Sequence, residues 1–186
     1  HLASIDIETG DMERLTGVRG PSLYTVTSLA FDPAQRTLFY SIDNARWRDL
    51  MKYDLETGKT DLLLKNERIG DLVFNPADGS LWGVRHFLGL STIVRIEAPY
   101  DDWDQVLTLD YGTDVYDLDI SPDGSTLTAA RVTIDGMQKL VAWDTANLME
   151  GDASFEQLFD FQFSNPEGFV FSQDGKSVVG SSYYSG

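Results

Sequence analysis

The chain has 186 residues, of which 42% are hydrophobic and 12% aromatic, enough for a folded core and unlike a disordered segment. Thirty acidic against fourteen basic side chains give a net charge of -16, a field that repels phosphate backbones and argues against a nucleic-acid partner. Cysteine is absent, which excludes disulfides and thiolate zinc sites, and no apolar run approaches the roughly 20 residues that a membrane-spanning helix needs.

Taken in chain order, residues 1–18 hold two short apolar runs around the turn Ser4-Ile-Asp-Ile-Glu-Thr-Gly10. A larger unit begins at Val26-Thr-Ser-Leu-Ala-Phe-Asp-Pro33, continues through Leu38 to Ile42, and reaches Lys52-Tyr-Asp-Leu-Glu-Thr-Gly58, almost a copy of the first turn. Thr60 to Leu64 follows as a fourth strand, and then the unit restarts. Its openings are Ile69-Gly-Asp-Leu-Val-Phe-Asn-Pro76, Val115-Tyr-Asp-Leu-Asp-Ile-Ser-Pro122 and Pro166-Glu-Gly-Phe-Val-Phe-Ser-Gln173. The anchors Phe31, Phe74, Ile120 and Phe171 recur at intervals of 43, 46 and 51 residues. That interval fits a four-stranded propeller blade of roughly 40 to 50 residues.

Asp78-Gly79, Asp123-Gly124 and Asp174-Gly175 mark hairpin turns after three of the anchors. Looser copies of the later turn occur at Arg95-Ile-Glu-Ala-Pro99 and Ala142-Trp-Asp-Thr-Ala-Asn147. No stretch shows convincing helical periodicity, and short β-branched or aromatic runs account for the chain. The expected fold is all-β: three complete four-stranded antiparallel propeller blades at 24–67, 68–112 and 114–162. A half-blade is expected at each end, strands C and D at 1–18 and strands A and B at 165–186, within one partial propeller domain, 1–186. The anchors are expected to be buried between blades.

Phe-Asp-Pro, Ser-Pro-Asp-Gly and Ser-Gln-Asp-Gly after an apolar A strand, with Tyr-Asp-Leu-Glu-Thr-Gly ending strand C, resemble the WD40-like PD40 repeat of TolB-type proteins. The likeness spans essentially the whole chain. Blade 1 departs from it in having no Asp-Gly, and blade 2 in lacking the glycine of the C-strand turn. The resemblance implies a bacterial periplasmic or cell-envelope protein that docks a protein or peptide. It equally admits a propeller accessory to a prolyl-oligopeptidase-like or tricorn-like peptidase. The first residue, His1, is not an initiator methionine, so the chain is expected to be part of a longer product. Its half-blades are then completed by further chain, by each other in a closed four-bladed ring, or by a second copy in a homodimer.

Chemistry is sparse. Gly180-Ser-Ser-Tyr-Tyr-Ser-Gly186 lacks the spacing of a nucleophile elbow, and Gly175-Lys-Ser177 lacks the earlier glycine of a phosphate loop. Two histidines without cysteine make zinc a poor fit. No cofactor is expected; calcium is the one ion the loop carboxylates suit. Metal-dependent lactonase-like propellers hold their ion with inner-strand carboxylates, which makes Glu167 and Asp117 the candidates under that resemblance.

Strand order places the B–C and D–A connections together at the mouth of the channel. That face gathers Arg46, Trp47, Arg68, Arg85, His86, Tyr183 and Tyr24, and arginine with aromatics is the composition that binding hot spots favour. Arg46, Trp47, Arg85, His86 and Tyr183 are therefore the expected partner-binding residues. The expected function is non-enzymatic docking, with the accessory-peptidase and lactonase-like readings as alternatives.

Overall fold

A computed structural model describes residues 1–21, 25–162 and 164–184, the last without its side chain. Strands β3 (Val26–Asp32), β4 (Thr37–Asp43), β5 (Arg48–Asp54) and β6 (Thr60–Leu64) form the first four-stranded antiparallel sheet. The second contains β7 (Ile69–Phe74), β8 (Leu81–Phe87), β9 (Leu90–Ile96) and β10 (Asp104–Thr108). The third contains β11 (Asp114–Ile120), β12 (Thr126–Val132), β13 (Gln138–Asp144) and β14 (Glu156–Asp160). Two-stranded sheets flank them: β1 (Leu2–Ile5) with β2 (Met12–Thr16), and β15 (Ser164–Phe171) with β16 (Val178–Tyr184). The first strands β3, β7, β11 and β15 touch in succession, so they form the inner ring and the sheets radiate from it as propeller blades.

Aspartates close the turns. Asp6 Oδ1 accepts the N–H groups of Glu8 and Thr9 at 2.9 and 2.8 Å, and Asp54 Oδ1 does the same for Glu56 and Thr57 at 2.8 and 2.9 Å. Hydrogen bonds from the Ser121 hydroxyl and the Ser125 N–H hold the Asp123 carboxyl down to about 2. The next residue, Gly124, has φ +73°, a conformation that disfavours a Cβ. One connection differs from the expected turn. After β13, Asp144 accepts the Asn147 N–H at 2.9 Å and caps a short helix, α1 (Thr145–Met149), whose Leu148 enters the core.

The core is a series of layers between blades. Phe39, Leu50 and Leu64 meet Ile69, Leu72 and Phe74 between the first two blades. Trp82, Val84 and Ile93 meet Val115, Leu118, Ile120 and Trp143 between the next two. Both faces of a middle blade are covered, so Leu81, Trp82, Gly83 and Val84 are all buried, and the first half of β8 reads as a continuous apolar run.

Two anchors are buried, Phe74 at 9% exposure and Ile120 at 5%. Phe171 is half-buried, and Phe31 is 44% exposed, contrary to the expectation that all four lie in the core. The reason is local. Each anchor faces the preceding blade, and among the described residues before β3 there is only the pair β1–β2. That pair covers Tyr40 and Tyr53 with Leu2 and reaches Val26 at the start of the inner strand, but not Phe31.

Side chains also staple the inner ring. Ser28 Oγ accepts the Leu72 N–H at 2.6 Å, Asp71 Oδ1 the Asp117 N–H at 3.1 Å, and Asp117 Oδ2 the Gly168 N–H at 3.1 Å. Each inner strand is bulged where this happens, and Asp71 and Asp117 take φ of 49° and 53°. Burial pushes the Asp71 carboxyl up, further than its bond from Asp117 and the charges of His86 and Arg48 pull it down. Because the fold favours its protonated form, Asp71 contributes stability below the ordinary carboxylate range and loses it as pH rises through the folded value. Asp71→Asn keeps an acceptor and tolerates the left-handed backbone. It should raise the urea midpoint at pH 7, with the advantage vanishing near pH 3; a lower midpoint at pH 7 contradicts this account.

Candidate functional site

The connection between β6 and β7 builds the site. Asn66 and Arg68 take φ of 64° and 61°, which bends this segment over the seam between the first two blades. The Arg68 N–H donates to the Arg48 carbonyl at 3.2 Å, and its own carbonyl accepts the His86 N–H at 3.3 Å. Asn66 N–H donates to Asp49 Oδ1 at 2.8 Å, and the Asn44 amide bridges Asp49 and Asn66. Asn44 Oδ1 in turn accepts the N–H groups of Arg46 and Trp47 at 2.8 and 2.7 Å, which fixes the loop between β4 and β5.

The result is a depression of about 490 Å³ lined by Pro21, Asp43, Asn44, Arg46, Trp47, Arg48, Arg68 and His86. A second hollow of about 330 Å³ shares Arg68 and His86 and runs on to Phe87, Ser91 and Asp114. The Arg68 guanidinium lies 3.2 Å from the Trp47 ring centroid and 5.3 Å from that of Phe87. Arg85 continues the ladder, 4.7 Å from Phe87 and 4.8 Å from Trp103. Arg48 Nε meets Asp43 at 3.0 Å and Arg85 Nε meets Glu67 at 3.5 Å. Among the described residues, neither Arg46 nor Arg68 has a carboxylate within ion-pairing distance.

His86 Nε2 lies 2.9 Å from Asp114 Oδ1, and the Ser91 hydroxyl donates to the same oxygen at 2.5 Å. Burial pushes the Asp114 carboxyl up, but these bonds outweigh it and hold the group below the usual range. The carboxylate stands in the middle of this trio. Nucleophilic catalysis needs the imidazole there, taking the hydroxyl proton. Here the Ser91 proton points at Asp114, so the arrangement ties the second blade to the third rather than activating an oxygen.

The structure brings Arg46, Trp47 and His86 together. Arg85 and His86 both lie on β8, which runs through Phe87. With its side chain only 21% exposed, Arg85 supports the rim through Phe87, Trp103 and Glu67. Tyr183 lies on β16 opposite Asn165 and is not among the residues lining either hollow. Tyr24 falls outside the described residues. Asp117 spends one oxygen on Gly168, and Glu167 is exposed on β15 with its carbonyl accepting the Ser181 hydroxyl. No group of three or more His, Asp or Glu side chains is placed to hold a metal among the described residues. Sequence reasoning missed the central place of Arg68 and the stapling role of Asp71. The second was detectable, since Asp71 and Asp117 occupy the same position of the repeat.

A larger apolar groove of about 620 Å³, with Phe159, Phe161, Phe169 and Phe171, separates the third blade from β15–β16. Among the described residues β15–β16 is a two-stranded sheet with no outer strands, and the groove lies beside it.

No family model matches the sequence, and no curated protein matches it. Solved structures do. TolB from Acinetobacter baumannii is 20% identical with a TM-score of 0.75, over 99% of this chain and 43% of that one. An oligogalacturonate lyase in complex with manganese is 16% identical with a TM-score of 0.65, over 96% and 52%. A chain of the nidogen/laminin complex is 12% identical with a TM-score of 0.67, over 95% and 64%. The chain thus has the fold of a partial TolB-like propeller and spans about half the length of the propeller proteins it resembles.

Proposed function

We propose that this chain is a docking module of a bacterial envelope protein that receives a protein or peptide on its channel-mouth face. The observation that carries the reading is the depression at the seam of the first two blades. Guanidinium groups and aromatic rings from two blades converge there, on a backbone held by side-chain hydrogen bonds. Preorganised arginine and aromatic groups lose little freedom on binding. The fold of TolB and of a chain in the nidogen/laminin complex is consistent with such a role. No helix among the described residues is long and apolar enough to cross a membrane. Of the two inner-strand carboxylates that a lactonase-like reading would use, Asp117 accepts a backbone N–H from the next blade and Glu167 is exposed.

Peptides selected from a random displayed library against this chain provide the test. Replacing Arg46 and Trp47 together with alanine should weaken their binding about tenfold or more, on the order of 1.4 kcal/mol. Both residues are exposed, so the circular dichroism spectrum should not change. Undiminished affinity in the folded double variant would place the site elsewhere.

A further inference from the structure

We infer that the occupant of this depression is an acidic segment of an extended peptide, with a carboxylate held by the edge of the Arg68 guanidinium and a second by Arg46. This rests on the docking reading above and names its partner chemistry.

The first argument is the local inversion of charge. The chain carries -16 overall, yet three guanidiniums line the depression against one carboxylate. That carboxylate, Asp43, is held by Arg48, and Asp114 beyond it is held by His86. Asp71, half-buried on β7, is in reach of the Arg48 and His86 charges. Elsewhere Arg36, Arg85 and Arg95 find their own acids, while Arg14, Arg19 and Arg131, dispersed over other parts of the chain, do not among the described residues. In a chain so rich in carboxylates, Arg46 and Arg68 stand at the depression with none.

The second argument is geometry. Trp47 covers one face of the Arg68 guanidinium at 3.2 Å, with the Phe87 ring 5.3 Å away. Stacking uses the faces of the fork and leaves its N–H edge, the part that grips a carboxylate with two parallel bonds. The backbone of Arg68 is bonded on both sides, to Arg48 and to His86. Little ordering remains to be done when an anion arrives.

The same stacking separates a peptide from an acidic sugar. A uronate ring is recognised by a bare aromatic face as well as by arginine, and here Arg68 takes one of the two faces of the indole. A peptide needs the edge alone, and its neighbouring side chains can use the exposed flank of Phe87 and Leu88.

The test uses the library-selected peptides, each remade with its Asp and Glu changed to Asn and Gln. Selected peptides should be acidic, and the amide versions should bind wild type at least about tenfold more weakly. On Arg68→Gln that difference should shrink to about twofold, because coupled partners lose their effect once one is gone. Arg68→Lys should keep the preference for acid with intermediate affinity, which guards against a fold defect in the glutamine variant. Peptides that lose affinity in the Arg46 and Trp47 double variant but show no preference for acid would overturn this inference and leave the docking reading standing. Peptides indifferent to that double variant would overturn both. A library that yields no binder, or trigalacturonate binding more tightly than every selected peptide, would also overturn the acidic-peptide inference.

Discussion

Phe74→Ala should lower the free energy of unfolding by about 3 to 5 kcal/mol, while the repeat-equivalent Phe31→Ala should cost less than about 1 kcal/mol. The two residues have the same place in their blades, the same partner strand and the same direction. Phe74 stacks on Phe39 with centroids 6.0 Å apart and lies in the layer between two blades. Phe31 points toward β1–β2, whose contacts with its blade run through Tyr40, Tyr53 and Val26 and do not include it, and it stays 44% exposed. The difference between the variants therefore measures what a neighbouring blade contributes at one position. Urea titrations followed by tryptophan fluorescence would read it from the midpoints, provided the slopes agree. Equal losses in the two variants would mean that β3 is covered in solution by something other than β1–β2.

The repeat was legible because each blade repeats its chemistry at a regular interval and because strand faces alternate with period two. From that pattern alone the direction of each anchor could be read, but not its burial, which depends on the blade before it. Helix α1 was not legible. Asp144 caps it by accepting the N–H of Asn147, three residues on, just as Asp54 closes its turn by accepting that of Thr57. Five residues are too few to show a period. The channel-mouth face was legible from strand order, which brought Arg46, Trp47 and His86 to one side. The stacking of Arg68 on Trp47 was not. It requires two loops from different blades to adopt particular conformations, one bent at Asn66 and the other pinned by Asn44.

The floor of the site is also held by a residue with no side chain. Gly83→Ala should lower stability by about 1 to 3 kcal/mol, although it adds one methyl group to a strand. Relief of unfolded-chain entropy favours alanine by about 0.4 to 1 kcal/mol, and the space around Gly83 overrides that gain. A Cβ there would stand 2.7 Å from Ile69 Cγ2 and 2.9 Å from the Gly70 carbonyl oxygen. Ile69 is buried between two blades and cannot retreat, and the oxygen belongs to the backbone. The crowding comes from the bulge in β7, where Asp71 and Leu72 together oppose Gly83. The equivalent positions across the bulges of the next two inner strands hold Ala129 and Gly180, also small. On its other side Gly70 lies under the Arg48 guanidinium, which lines the depression. Pushing β7 aside should therefore move Arg48, and Gly83→Ala should weaken peptide binding at the face as well as stability. Calorimetric titration of a selected peptide, run beside the urea midpoint, measures both. A stable variant with unchanged affinity would show that the bulge yields freely and that the floor of the site does not depend on it.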